Sequence, residues 1–141
     1  MKITGGCHCG NLSIEFETEF EPRELPLRAC QCTFCRAHGA LSASDPAGRL
    51  SIRVVDGREL VRYRFGLRIT DFLICRRCGV YVAALTELDG AQYAVINANV
   101  LACRGQMDGP IQSMDYDGDT METRSARRKS RWTPVSALQI P

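Results

Sequence analysis

The chain holds no apolar run approaching the length of a membrane span, so a bilayer-crossing helix is excluded from the outset. Charge of one sign is lacking too: 18 Lys and Arg stand against 16 Asp and Glu, a formal net charge of +2. Aromatic residues make up 7% of 141 positions, and only Trp132 lies beside the one basic run (Arg124, Arg127, Arg128, Lys129, Arg131). Base-stacking platforms interleave aromatic and basic side chains, so this scarcity argues against a nucleic-acid partner. The opening residues Met1 to Gly6 lack the apolar stretch of a secretory signal, and the expected compartment is the cytoplasm. No internal repeat and no linker-like segment interrupts the chain, so residues 1–141 are expected to form one domain with a modest core.

What is present in excess is cysteine. Seven of the eight cysteines fall into three clusters: Cys7-x-Cys9-Gly10, Cys30-x-Cys32-x-x-Cys35 and Cys75-x-x-Cys78-Gly79. In a reducing compartment, clustered thiols are read as metal ligands before disulfides. Cysteines two apart make awkward disulfide partners, and a Cys75/Cys78 redox pair would leave the other five unexplained. Closed structural zinc sites take four ligands, whereas reactive ones often take three and keep a position open. Cys75-x-x-Cys78-Gly79 has the shape of a zinc knuckle, and Cys7-x-Cys9-Gly10 has the same character. Joined, they supply four ligands and clamp the chain across 65 intervening residues. Cys30, Cys32 and Cys35 remain, three sulfurs on one short loop, suited to a second zinc with an exchangeable fourth position. Seven bound thiolates and two dications would move the formal charge from +2 to −1, so net charge carries no argument for a polyanionic partner.

The two histidines are weaker candidates. An extended backbone at His8 turns its ring away from a metal shared by its neighbours, while His38 lies three residues after Cys35, within reach of the open position. Cys103 stands alone and reads as a small buried hydrophobe.

Strand signals dominate the rest. Leu12, Ile14 and Phe16 alternate with polar residues, as do Leu50, Ile52 and Val54, the period of half-buried strands. Asp56-Gly57 then predicts a hairpin turn into Glu59 to Phe65. Ile69 to Cys75, Val80 to Leu85 and Gln92 to Asn97 are continuously apolar and read as central strands, with Asp89-Gly90 turning between the last two. Gly105 to Gly118 reads as a surface loop. Asp119 followed by Glu122 resembles a capping box, predicting one surface helix from Thr120 to Arg131.

Gly6-Cys7-His8-Cys9-Gly10, the Cys30 to Cys35 cluster, and Tyr63-Arg64-Phe65-Gly66 followed by Cys75 to Gly79 together resemble the motifs of the glutathione-dependent formaldehyde-activating enzyme family, also called centromere-protein-V-like. The resemblance covers roughly residues 3 to 100. It implies a mainly-β, zinc-stabilised Mss4-like fold of antiparallel sheets, with the C-terminal helix added. It also implies a structural zinc at Cys7, Cys9, Cys75 and Cys78 and a catalytic zinc at Cys30, Cys32 and Cys35. The implied activity is that of a carbon–sulfur lyase joining a small thiol, glutathione, to an aldehyde, formaldehyde, as S-hydroxymethylglutathione. Arg36, Arg62, Arg64 and Arg68 are the arginines considered for the thiol's carboxylates. Two alternatives come from other classes. One is a non-catalytic zinc module that docks a protein or nucleic acid through the Arg124 to Arg131 stripe. The other is a methionine sulfoxide reductase using Cys103, whose flanking residues do not suit that chemistry.

Overall fold

The computed structural model describes residues 1–141 as eleven strands and two α-helices. The first half holds β1 (Lys2–Gly6), β2 (Leu12–Glu17), β3 (Leu27–Cys30), α1 (Thr33–His38), β4 (Ser42–Ala43), β5 (Arg49–Val54) and β6 (Leu60–Tyr63). The second half holds β7 (Thr70–Cys75), β8 (Tyr81–Leu88), β9 (Ala91–Asn97), β10 (Ile111–Met114), α2 (Met121–Arg131) and β11 (Thr133–Gln139).

The strands form two sheets that share β11. On one side run β1, β2 and β5, with Val135 to Gln139 of β11 parallel to β5. On the other, β6, β7, β8 and β9 form an antiparallel meander, and Thr133 and Pro134 of β11 pair with Ala94 and Tyr93 of β9. β4 also pairs with β9, and beyond it come β3 and then β10, the latter parallel to β3.

The predicted alternation places the core. Leu12, Ile14 and Phe16 of β2 oppose Val54, Ile52 and Leu50 of β5, and all six are almost fully buried. They pack with Leu25, Leu27, Leu73, Val82 and Ile96 in one cluster. β8 is buried along six consecutive residues, Tyr81 to Thr86, as expected of a strand covered on both faces.

Four local expectations change. Asp56-Gly57 does not make a hairpin: β5 pairs with β2 and β11, while β6 pairs with β7. Asn11 explains the redirection, since its side chain accepts from the Asp56 N–H at 2.9 Å and donates to the Asp56 carbonyl at 3.2 Å. The Asp56 side chain in turn accepts from the Arg58 N–H, closing a 3-10 turn that carries the chain into the other sheet. Second, the segment from Gly105 to Gly118 contains the edge strand β10. Third, the sheets are mixed, because β10 and β11 each add a parallel pair, and a short helix, α1, joins the C-terminal one. Fourth, α2 is capped by Thr120, whose hydroxyl accepts from the Thr123 N–H, one residue later than the Asp119 box. No helix is long and apolar enough to cross a membrane.

Thr133 ties the shared strand to its surroundings: its buried hydroxyl accepts from the buried Asp45 N–H at 2.8 Å, and Asp45 accepts from Thr18 at 2.7 Å. Thr133→Val keeps the shape and removes that acceptor. It is expected to cost about 1–3 kcal/mol, seen as a lower urea midpoint with an unchanged slope.

Candidate metal centres and an arginine-lined cavity

The sulfurs of Cys7, Cys9, Cys75 and Cys78 converge within 4.8 Å of one another. Cys7 and Cys9 lie 3.8 Å apart and Cys9 and Cys75 3.5 Å, across a sequence separation of 66. No pair is bonded, and all eight cysteines are free. A tetrahedron with metal–sulfur bonds of about 2.3 Å has edges of about 3.8 Å, so the donor set fits zinc. Backbone amides serve the same sulfurs: Leu12 N–H donates to Cys7 at 3.2 Å and Cys78 N–H to Cys75 at 3.4 Å. These bonds require tight turns, and Gly10 and Gly79 follow the two pairs at φ values of 86° and 78°. A side chain is strained in that left-handed region, which accounts for glycine at both places. Burial pushes the Cys75 thiol up to about 12, so without a cation this sulfur stays protonated at neutral pH. His8 is not among the converging donors; it is exposed and lies in a turn instead of the extended backbone expected.

The second set, Cys30, Cys32 and Cys35, also converges within 4.8 Å. Cys30 ends β3, Cys32 is the N-cap of α1, and Cys35 lies in that helix's first turn, its N–H donating to the Cys32 sulfur at 3.4 Å. Hydrogen bonds from Cys30 and Cys35 hold Cys32 down at about 2, while the same contacts push Cys35 up. Three sulfurs this close cannot all ionise unless a cation offsets their charge. His38 does not join them. It is exposed, and its ring packs on Phe34 with centroids 4.5 Å apart.

This three-sulfur set opens on a cavity of about 450 Å³. Its apolar wall comes from Phe65 in the loop after β6 and from Phe72, Tyr81, Ala84 and Val95 on β7, β8 and β9. Burial, and then the nearby sulfurs, push the Tyr81 phenol well above its ordinary value, so it stays protonated. Arg28, Arg124, Arg127, Arg128, Trp132, Asp115 and Asp117 line the cavity as well, with Trp132 packed on Tyr81, Ala84 and Val95. The four-sulfur set contributes nothing to this cavity.

The arginines of the cavity differ from the four expected to meet the thiol's carboxylates. Arg62 and Arg64 instead pair with Asp71, at 3.4 and 2.6 Å, and Arg36 and Arg68 are exposed. None of the four lines the cavity. A signal was available: Arg124, Arg127, Arg128 and Arg131 stand at i, i+3, i+4 and i+7, one face of a helix. Three of them face inward, so the stripe is a cavity wall and not an open docking surface. Lys129 pairs outside with Asp89 at 2.9 Å. Cys103 is half-buried beside the main core and belongs to neither cluster, with its thiol pushed up by burial.

Comparison with known proteins adds two findings. Residues 2–114 match the family model described as glutathione-dependent formaldehyde-activating enzyme. A crystal structure of a Rhodobacter sphaeroides protein, a structural genomics target, superposes with a TM-score of 0.56 at 31% identity. The match covers 77% of this chain and 99% of that one.

Proposed function

Because this chain belongs to the glutathione-dependent formaldehyde-activating enzyme family, we propose that it binds two zinc ions and reversibly joins a small thiol to an aldehyde. In this reading Cys7, Cys9, Cys75 and Cys78 enclose a structural zinc, and Cys30, Cys32 and Cys35 hold the second. The substrates are glutathione and formaldehyde, and the protein is a carbon–sulfur lyase in the reverse direction. The observation that carries the reading is the opening of the three-sulfur set, and not the four-sulfur set, on the cavity.

The bond changes are few. A lone pair on the thiol sulfur forms the new C–S bond, the carbonyl π pair moves to oxygen, and the proton lost by sulfur ends on that oxygen. Zinc at the three cysteines would hold sulfur as thiolate or polarise the carbonyl. The chain's own contribution is placement. Phe65, Phe72, Ala84 and Val95 supply apolar lining, and the arginines of the same cavity offer donors to carboxylates. A cavity of about 450 Å³ suits a ligand of peptide size.

The test is exchange spectroscopy on glutathione with carbon-13 formaldehyde, using protein whose zinc content has been measured. Interconversion of free and S-hydroxymethyl forms is expected to exceed the spontaneous rate in proportion to protein concentration. Exchange at the spontaneous rate, with both sites filled, would overturn the lyase reading.

A further inference from the structure

Two cations in the cavity have no acidic partner. Arg128 is 8% exposed, donates from Nη1 to Thr70, stacks on Trp132 at 4.4 Å, and has a buried Nε with no hydrogen-bond partner. Arg28 donates to Ser44 at 2.6 Å, and Ser44 donates on to the Arg131 carbonyl at 2.8 Å, which ties β3 to the end of α2. By contrast Arg124 and Arg127 pair with Asp119, and Arg127 also covers the Tyr116 ring. Arg124 Nε, buried as well, lies 3.7 Å from that carboxylate, too far for a hydrogen bond. Asp115 and Asp117 are exposed at the cavity's edge and form no ion pair; Asp115 only accepts from the Asp117 N–H. The cavity is therefore polar in a definite sense, with unpaired cations inside and unpaired carboxylates at the rim.

A buried guanidinium with an idle donor is costly unless something completes it. Burial, then the neighbouring Arg124 and Arg127, lower the Arg128 pKa to about 10, which leaves it charged at neutral pH. α2, which carries it, begins at Met121, beyond the 2–114 span of the family match. Arg124, Arg127 and Arg128 of the wall thus lie outside the matched span, whereas Arg28 on β3 lies within it.

We propose that Arg128, assisted by Arg28, selects thiol substrates that carry a carboxylate, with α2 building the subsite over the three-sulfur centre. The ligand class is a zwitterionic peptide thiol: carboxylate inward at Arg128 and Arg28, ammonium outward toward Asp115 and Asp117. The proposal rests on the thiol–aldehyde reading for its substrate, but the recognition itself can be measured without turnover.

Trp132 is the sole tryptophan and lines the cavity, so its fluorescence reports occupancy. The probes are S-methylglutathione, which has both carboxylates and no free thiol, and its diethyl ester, titrated into zinc-loaded full-length chain. The acid is expected to bind roughly tenfold or more tightly than the ester, the scale of one charged hydrogen bond. Arg128→Gln should bring that ratio close to one, and Arg128→Lys should restore part of it. Equal affinities in the unaltered protein would overturn the proposal, as would an undiminished ratio in Arg128→Gln. Loss of zinc from Arg128→Gln with the ratio intact would also overturn it, assigning the arginine to charge balance at the sulfurs. If Arg128→Gln loses its cooperative unfolding transition, Arg28→Gln carries the test, with at least a threefold drop in the ratio expected and no drop counting against. Charge selection without adduct formation would sink the lyase reading alone. Equal turnover of glutathione and its diester would sink this proposal alone.

Discussion

Cys75→Ser is expected to abolish cooperative folding, with no sigmoidal urea transition and near-complete loss of bound zinc. The sulfur removed is fully buried and sits 3.5 Å from Cys9, on the far side of a 66-residue separation. Structural zinc contributes roughly 10–16 kcal/mol in sites of this kind, and a domain's whole stability is about 5–15 kcal/mol. Losing the ion therefore outweighs what the core can supply. Serine makes matters worse, because its hydroxyl is a poor replacement for a zinc-binding thiolate and is buried in the sulfur's place. Chelation of the unaltered chain should reproduce the effect, and re-addition of zinc should reverse it. A Cys75→Ser chain that unfolds cooperatively within about 2 kcal/mol of the original would mean that the core stands without the clamp.

Cys32→Ser is expected to behave oppositely: a folded chain, one zinc fewer, and adduct exchange reduced to the spontaneous rate. The three sulfurs span six residues, Cys30 to Cys35, so their metal closes only a short loop and constrains little of the unfolded chain. Cys32 is partly exposed toward the cavity and also caps α1, accepting from the Cys35 N–H. A serine oxygen can take over that capping bond, which keeps the local backbone in place while the metal site is lost. Stability should fall by less than about 2 kcal/mol, and zinc analysis should show one equivalent retained. Full exchange activity with a single zinc would place the chemistry elsewhere.

The contrast between these variants reflects what was legible in the sequence. Spacing alone divided the cysteines into the two groups that converge, because sulfur is a demanding ligand and its neighbours must turn tightly to present it. The alternation of Leu12, Ile14 and Phe16 located a core strand for a similar reason: a period of two matches the pleat of a half-buried strand and not the turn of a helix. Pairing was harder to read. β5 alternates just as well, yet whether it folds back on β6 or joins β2 depends on Asn11, whose two bonds to Asp56 span 45 residues of sequence. β11 and β10 were missed because each is completed by partners far along the chain. The inward face of α2 was hidden by its composition, since a row of arginines ordinarily marks solvent. Only the cavity behind it shows why Arg128 is buried.

The strand common to both sheets sets an order of assembly. β11 is synthesised after every other strand, yet it alone bridges β5 to β9 by hydrogen bonds. Before it emerges, the two sheets have main-chain contacts at Gly5–Leu101 and Thr4–Ala102 but lack the seam that β11 supplies. All four cysteines of the knuckle pair have emerged well before that point. An ion captured early would tether the two sheets and shorten the search that the final seam requires, so metal supply would govern the yield of folded protein during synthesis as well as its later endurance.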